Sequence, residues 1–150
     1  MTVFTGPDQV SAAVGEKLGP TSWFPVEQAR VDGFADITED HQWLHVDQER
    51  AAAGPFGGTI SHGLLTLSLV PHFGALLFRL DFGSARINYG LNKVRFPTPV
   101  PVGARLRAHA QFLALEPATQ GDLLTTRYTI EIENAAQPAC VAETLTLLLP

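Results

Sequence analysis

An aspartate and a histidine, Asp40 and His45, stand five positions apart in a segment rich in turn-forming residues. Nothing in the local pattern ties either side chain to the core, so the two can converge as an acid–base pair. A second feature follows at His62 and Gly63, which open an apolar stretch. Backbone N–H groups at a helix start have no partner within the helix and can bind a negatively charged oxygen. The pattern therefore predicts a pair that moves protons beside a site that stabilises an oxyanion.

Helices and a loop in the first half of the chain must position these groups. The pattern predicts a helix over 9–18 capped by Asp8, a short strand over 22–26 and a second helix over 27–37, with Ile37 on its apolar face. Residues 41–59 are rich in glycine and proline and predict a loop, apart from a helical turn at 47–53. Residues 64–79 are apolar almost all round and predict a core helix enclosed on most sides and kinked at Pro71.

The second half of the chain has the two-residue period of β-strands. A change of parity within residues 87–96 predicts a bulge around 90–93. Three further strands follow, and their predicted inward rows are Leu106, Ala108, Ala110 and Phe112; Tyr128, Ile130 and Ile132; and Val141, Leu145, Leu147 and Leu149. Early helices followed by consecutive strands predict an α+β domain, in which the apolar helix covers one face of an antiparallel sheet.

Composition sets the class of molecule. A length of 150 residues predicts one domain spanning 1–150, and a net charge of −5 argues against general binding of nucleic acid. No segment reads as a membrane span or a signal peptide, and the one cysteine, Cys140, cannot form an internal disulfide. Cys140 lies in an apolar strand and is expected to be a buried small side chain. These features predict a cytoplasmic protein without a membrane partner.

A sheet curled round one apolar helix is the hotdog architecture, and the motifs resemble a family with that fold. The run Asp40-His-Gln-Trp-Leu-His45, the Gly-Pro-Phe-Gly loop and Ser61-His62-Gly63 are similar to the MaoC-like (R)-specific enoyl-CoA hydratases. Within that family, the motifs resemble those of the nodulation-protein-N-like branch. The segment Asn92-Lys-Val-Arg-Phe-Pro-Thr-Pro-Val-Pro-Val-Gly103 also resembles the strand after the family's helix. The resemblance covers about residues 26–113.

The resemblance implies hydration of trans-2-enoyl-CoA to (R)-3-hydroxyacyl-CoA and the reverse dehydration. Asp40 and His45 would be the catalytic dyad, with Asp40 acting mainly on the water and His45 mediating the proton. Gly63 would supply the oxyanion-hole N–H. The supporting and substrate-binding positions would be Gln42, His62, Phe56, Gly57, Lys93 and Arg95. The implied reaction needs no metal or redox cofactor, because coenzyme A is part of the substrate, and the implied assembly is a homodimer.

The chain departs from the family pattern at two places. Many members have Asn and Pro between the acid and the histidine, whereas Gln42 and Trp43 stand here. Some members carry a serine near the middle of the central helix, where this chain has Pro71, so Ser68 or Thr66 would have to take a polar role there. A hotdog acyl-CoA thioesterase and a non-catalytic acyl-CoA-binding module therefore remain alternatives.

Two other patterns have a structural and a functional interpretation. Lys93, Arg95, Arg105 and Arg107 fall in a region without acidic residues and can contact the anionic groups of coenzyme A, although their alternation also fits a solvated strand face. Asp40, His41, His45 and His62 invite a metal interpretation. The loop signals around them and the lack of an HExxH arrangement oppose it.

Overall fold

The computed structural model describes every residue from Met1 to Pro150. A short parallel pair joins Thr2–Phe4 (β1) to Phe78–Leu80 (β4). The strands of the main sheet are Lys17–Leu18 (β2), Phe24–Pro25 (β3), Ala85–Arg95 (β5), Arg105–Ala118 (β6), Gly121–Ile132 (β7) and Cys140–Leu149 (β8). This sheet is antiparallel and has the order β2-β6-β7-β8-β5, with β3 also paired to β6.

Six helices complete the fold. They are Pro7–Ala12 (α1), Gln28–Thr38 (α2), Trp43–Val46 (α3), Gln48–Ala52 (α4), Gly63–Ser68 (α5) and Val70–Leu77 (α6). Only Leu69 separates α5 from α6, and Pro71 stands in the first turn of α6. An interrupted core helix is therefore confirmed, but the break falls at Leu69 rather than at Pro71, and residues 78–79 of the predicted helix belong to β4. None of the helices has the length and apolar character that a membrane crossing requires.

The core lies between the helix pair α5–α6 and the sheet. One cluster of 17 buried residues joins the helices to β6, β7 and β8. Its helical members are Leu65, Leu69, Val70, Phe73 and Leu77, and its strand members include Leu106, Ala108, Ala110, Tyr128, Ile130, Ile132, Cys140 and Ala142. The inward rows predicted for β6 and β7 are confirmed, as is the α+β layering with an antiparallel sheet covered by the helix.

The central helix is less enclosed than its composition predicts. Leu64 is 60% exposed and Leu76 is 45% exposed, and Pro71 and His72 are also exposed. The sheet contacts one side of the helix pair, so the apolar residues on the other side stay at the surface of the single chain. The prediction of a helix enclosed on most sides is wrong for this reason.

The first helix is also shorter than predicted. It ends at Ala12 rather than at residue 18, and Gly6 rather than Asp8 occupies its N-cap. Gly15 has a φ of +90°, which breaks the helix, and its N–H donates to the carbonyl of Phe112. Leu18 then pairs with Ala110 in the sheet. Pairing with the long strand β6 therefore overrides the local helical pattern.

Other boundaries agree with the sequence more closely. The helix predicted over 27–37 spans Gln28–Thr38, but Ile37, assigned to its apolar face, is 87% exposed. The bulge predicted in β5 is confirmed, since its pairing with β8 shifts register between Asn88 and Gly90 and again between Leu91 and Lys93.

The inward row predicted for β8 is largely wrong. Cys140 and Ala142 are fully buried, whereas Val141, Leu145 and Leu149 are only partly buried. Small side chains occupy the row beneath the helix, because the helix lies close to the sheet there, and the larger apolar residues take the other row. The prediction of a buried Cys140 is confirmed, and burial raises the pKa of its thiol to about 11.

The closest approach of helix and sheet gives a stability prediction. A Cβ on Gly74 of α6 would lie 2.8 Å from the Tyr128 hydroxyl but 3.6 Å from its Cζ. Gly74→Ala should lower the free energy of unfolding by about 1–3 kcal/mol through overpacking. In the Tyr128→Phe background, the same change should be neutral or stabilising by up to about 1 kcal/mol, since alanine favours a helix over glycine. Denaturant unfolding of the four proteins measures this, and equal costs in both backgrounds would contradict the contact.

Candidate active site

A hydrogen bond to a backbone carbonyl sets the orientation of His45. The side chain belongs to the short helix α3 and is only 8% exposed. Its Nδ1 lies 2.7 Å from the carbonyl oxygen of Ile60. Because a carbonyl oxygen only accepts, Nδ1 carries the hydrogen and donates it to Ile60, and Nε2 of the neutral ring keeps its lone pair. Nε2 is therefore the atom of His45 that can take up a proton.

The backbone around Ile60 is held on both sides. Its N–H donates to the carbonyl of Leu44 at 3.0 Å, and the N–H of Ser61 donates to the carbonyl of Val100 at 2.8 Å. Ile60 also forms an antiparallel bridge with Pro101. The segment after the glycine-rich loop is thus hydrogen-bonded both to the His45 helix and to the connection into β6, which gives the His45 ring a fixed acceptor.

His62 links the other two groups of the predicted site. Its ring stacks on that of His45 with a centroid distance of 3.7 Å and an angle of 25° between the planes. Its Nε2 lies 3.0 Å from the backbone carbonyl oxygen of Asp40, to which it donates. Its Nδ1 is buried and has no hydrogen-bond partner. His62 therefore positions Asp40 and His45 relative to one another.

Asp40 lies at the mouth of this cluster. It follows Glu39, whose left-handed conformation (φ 59°) ends α2 and turns the chain back. Its carboxylate is about half exposed, and one oxygen is 3.9 Å from Nε2 of His62. One polar atom each from Asp40, His45 and His62 lies within 4.8 Å of the other two. The structure thus brings the predicted acid, the predicted base and the predicted supporting histidine together.

Gly63 begins α5 directly after His62, and its N–H donates no hydrogen bond within the chain. A Cβ at this position would lie 3.2 Å from the ring of Phe96. The aromatic ring therefore covers the start of the helix, and a side chain at residue 63 would crowd it. Phe96 was not among the residues predicted for the site, and the one signal for it in the sequence was its place after the basic residues Lys93 and Arg95 and before Pro97.

The residues between the acid and the histidine have separate contacts. The carbonyl of Gln42 accepts the backbone N–H of His45 at 2.9 Å, while the Gln42 side chain is exposed and makes no hydrogen bond within the chain. The ring of Trp43 packs so close to Gly54 that a Cβ there would lie 3.1 Å from it. The Arg50 guanidinium lies 4.4 Å from the Trp43 ring centroid. Trp43 of α3 thus contacts both the glycine-rich loop, at Gly54, and α4, at Arg50.

The polar residues of the central helix differ in availability. The Ser68 hydroxyl donates to the carbonyl of Leu64 at 2.7 Å, so it is already occupied within the helix. Thr66 is 1% exposed and its hydroxyl has no partner. Of the two residues considered as substitutes for a polar group at Pro71, Thr66 is the one with a free buried hydroxyl.

Two cavities flank the helix pair on the side of β5. One of about 420 Å³ lies against α6 and is lined in part by Val70, Pro71, Gly74 and Tyr128. The other, of about 450 Å³, lies towards α5 and is lined in part by Leu67, Ser68, Tyr89 and Leu91. They share Val70, Pro71, Asn88 and Thr144, so they form one trough along the helix. Neither is lined by Asp40 or His45.

Phe56 and Gly57 lie at a third cavity, of about 330 Å³, which is also lined by Gln28, Thr59 and Pro101. Phe56 is 49% exposed at its edge. These two loop residues are thus placed beside the segment that holds His45, and away from the trough along the helix.

The basic residues divide into paired and unpaired groups. Arg105 forms an ion pair with Glu133, and Arg107 forms one with Glu131 at 2.7 Å, so these two belong to a charged strand face. Lys93 and Arg95 are exposed on β5 and form no ion pair. Of the basic residues considered as ligands, only these two are free for an anion.

The donor set of the histidine cluster fits a metal ion poorly. His41 points elsewhere, since its Nε2 contacts Asp36 at 2.8 Å. The stacked rings of His45 and His62 lie in nearly parallel planes, with 3.7 Å between their centroids, so lone pairs in the two planes do not readily meet at one ion. A tetrahedral site needs converging lone pairs, so this geometry disfavours metal coordination.

Comparison with known structures identifies the class of fold. The chain superimposes on the (R)-hydratase from A. caviae involved in PHA biosynthesis with a TM-score of 0.73 and 27% identity, covering 90% of this chain and 96% of that one. A monoamine oxidase regulatory protein from Archaeoglobus fulgius gives a TM-score of 0.74 at 23% identity, covering 91% and 90%. The predicted hotdog fold is thereby confirmed.

Sequence comparison identifies the family. A model of the MaoC like domain matches residues 9–134. 3-Hydroxyacyl-thioester dehydratase Z of Mycobacterium tuberculosis (strain ATCC 25618 / H37Rv) is 49% identical over 97% of both chains. Nodulation protein N of Rhizobium leguminosarum bv. viciae is 43% identical over 93% of this chain and 88% of its own. The chain belongs to the MaoC-like family of hydratases and dehydratases, and the predicted resemblance is confirmed.

Charges on the outer sheet face predict a pH dependence of stability. Burial, aided by Lys17, lowers the pKa of His109, and the hydrogen bond from Arg107 lowers that of Glu131. Below about pH 6.5 the unfolded chain takes up a proton at His109 more readily than the folded chain does. The free energy of unfolding should therefore decrease as the pH is lowered. The contribution of Glu131 is present above its unfolded pKa and is lost at more acidic pH. Unfolding between pH 7.5 and 5.5 should show a shallower slope for His109→Gln. His72→Gln, at an exposed site, is the control, and an unchanged slope in His109→Gln would contradict the assignment.

Proposed function

We propose that this chain hydrates trans-2-enoyl-CoA thioesters to (R)-3-hydroxyacyl-CoA and catalyses the reverse dehydration. The observation that carries the proposal is the meeting of Asp40 with a His45 ring whose Nδ1–H is anchored on Ile60. Such a ring offers the lone pair of Nε2 for proton transfer. The names of the relatives, a 3-hydroxyacyl-thioester dehydratase and an (R)-specific enoyl-CoA hydratase, support the same reaction class.

The groups divide the reaction between them. Asp40 and His45 hold one water between a carboxylate oxygen and Nε2. Its oxygen adds to C3 of the enoyl group while one of its protons passes to C2, and the charge that develops rests on the thioester oxygen. His45 mediates that proton transfer and Asp40 orients the water. Both fragments add to the same face of the double bond, the water attacking the face of C3 that gives the (R)-3-hydroxy product, and dehydration retraces these steps.

Gly63 stabilises the thioester oxygen in this scheme. Its N–H is free of internal partners, and the absence of a side chain lets a substrate oxygen approach it beneath Phe96. A donor of this kind typically contributes about 2.7–4 kcal/mol of transition-state stabilisation. The acyl chain would run from Gly63 along the helix into the trough beside β5. Lys93 and Arg95 would face the phosphates of coenzyme A, and Phe56 and Gly57 would line its entry.

The proposed reaction uses no metal or redox cofactor. The addition changes no oxidation state overall, and coenzyme A enters and leaves as part of the substrate. A protein N–H takes the role that a Lewis acid has in metal-dependent carbonyl chemistry.

The dyad is tested by the loss of enoyl absorbance of crotonyl-CoA. Asp40→Asn and His45→Gln should each lower kcat by about 10²–10⁴-fold, since each removes a proton-transfer group while keeping its approximate size. Asp36→Asn and His41→Gln are matched controls, because they alter a neighbouring exposed acid–histidine pair and should leave kcat unchanged.

The products separate this proposal from its rivals. An enoyl signal that disappears without release of free thiol supports hydration, and chiral analysis should give the (R)-3-hydroxyacyl product. Release of free thiol would identify a thioesterase. Binding of acyl-CoA without turnover by the wild type would identify a binding module, and an (S) product would contradict the proposed stereochemistry.

We also propose a homodimer joined along β5. This strand ends the sheet and has one unpaired edge. Large apolar side chains are exposed on it, namely Ile87 at 46%, Tyr89 at 66% and Leu91 at 49%. An unpaired edge beside apolar surface is a site where a second sheet can join.

The dimer is tested by sedimentation of a charge variant. Leu91→Lys places a charge on the proposed interface and should convert the protein to a monomer at micromolar concentration, because burying an unpaired charge is costly. Ile37→Lys is the control, since Ile37 is equally apolar and 87% exposed on another face. A dimer that persists in Leu91→Lys, or a monomeric wild type, would contradict this interface.

A further inference from the structure

The side-chain amide of Gln28 joins three separate segments beside His45. Its Nε2 donates to the carbonyl oxygen of His45 at 2.7 Å and to Oδ1 of Asp32 at 2.9 Å. Its Oε1 accepts the hydroxyl of Thr59 at 2.6 Å. Both N–H groups of the amide and one lone pair of its oxygen are thereby used in hydrogen bonds. The amide connects α2, the His45 helix and the segment that follows the glycine-rich loop.

These contacts act on both ends of the bond that orients the His45 ring. The carbonyl of His45 receives no backbone N–H, because α3 is only four residues long, so Gln28 is its donor within the chain. Thr59 precedes Ile60, the residue whose carbonyl accepts Nδ1–H of His45. Gln28 therefore binds the main chain of His45, which is the donor of this bond, and Thr59, which is the neighbour of the acceptor Ile60.

The Thr59 end of this link is itself rigid. Thr59 is 8% exposed, and its carbonyl accepts the N–H of Val102 at 2.9 Å. Its hydroxyl donates to Gln28. If Gln28 moved away, the buried hydroxyl of Thr59 would lose its hydrogen-bond partner, which is costly. The position of Thr59 is therefore coupled to that of Gln28.

We propose that Gln28, through Thr59 and the His45 carbonyl, is the positioning residue that keeps the His45 ring in its Nδ1–H tautomer. This inference rests on the proposed function in that it concerns the same histidine. Without the link, α3 and the segment around Ile60 are free to separate, and the hydrogen bond from Nδ1–H of His45 to the carbonyl of Ile60 lengthens. Nε2 then no longer carries the lone pair in every molecule, so proton transfer slows although the substrate-binding surfaces are intact.

A matched set of four variants tests the link. Gln28→Glu keeps the oxygen that accepts from Thr59 but replaces the amide donor to His45. Thr59→Val removes the hydroxyl at nearly the same volume, and Thr59→Ser restores it. Asp32→Ala removes the third partner of the amide without touching either end of the His45 bond, so it is the control for general effects on α2.

Two readouts are made on the full chain. Steady-state hydration of crotonyl-CoA should show kcat about tenfold lower in Gln28→Glu and Thr59→Val with KM changed by less than about twofold, because orientation and not binding is impaired. Nitrogen-15 NMR of the histidine rings should show His45 shifted from the Nδ1–H tautomer towards a mixture in the same two variants. Thr59→Ser and Asp32→Ala should match the wild type in both readouts.

The outcomes are distinct. A lower melting temperature with wild-type kcat and tautomer would show that Gln28 serves stability alone and would overturn the proposal. If Gln28→Glu fails to fold, the Thr59→Val and Thr59→Ser pair decides by the same criteria. The NMR readout does not depend on turnover. A wild type that hydrates nothing would therefore refute the proposed function, while the tautomer shift would still decide the role of Gln28.

Discussion

The structure depends on burial of one side of the α5–α6 helix pair against the sheet. That contact removes most of the core's apolar surface from water, and it determines where the first residue of α5 can lie. Gly63 and His62 therefore sit at a fixed place at the end of the core. The segments that carry Asp40 and His45 must come to that place, because they contribute little apolar surface of their own. The candidate site thus lies at the start of the packed helix α5, and hydrogen bonds hold the segments of Asp40 and His45 against it.

Backbone carbonyls do most of the positioning at the site. Those of Ile60 and Asp40 each receive a ring nitrogen of a histidine, and that of His45 receives an amide. A carbonyl has one possible role in a hydrogen bond, so each of these contacts specifies the protonated nitrogen of its partner. The stacked rings of His45 and His62 then limit rotation of either ring. The resulting arrangement depends on the backbone path of a loop that has little regular secondary structure.

The outer face of the sheet and its edge strand β5 differ in their charges. The outer face of β6, β7 and β8 carries paired charges, whereas the edge strand β5 carries unpaired basic residues and exposed aromatic and aliphatic side chains. Paired charges add little affinity for a ligand, since each is already neutralised by its neighbour. The unpaired edge is therefore the surface with capacity for both an anionic substrate and a second sheet.

Periodicity and motif spacing are local properties of the sequence. The α+β layering, the interrupted core helix, the inward rows of β6 and β7, and the candidates Asp40, His45 and Gly63 all follow from them. Packing between distant parts of the chain set three other features: α1 stops at Ala12, Cys140 and Ala142 of β8 face the helix, and Ile37 lies in solvent. The folded structure was also needed to find Phe96 over Gly63, the His45–His62 stack and the amide of Gln28. Each of these depends on contacts between residues distant in the chain or on which face a partner covers, and neither is encoded in a local pattern.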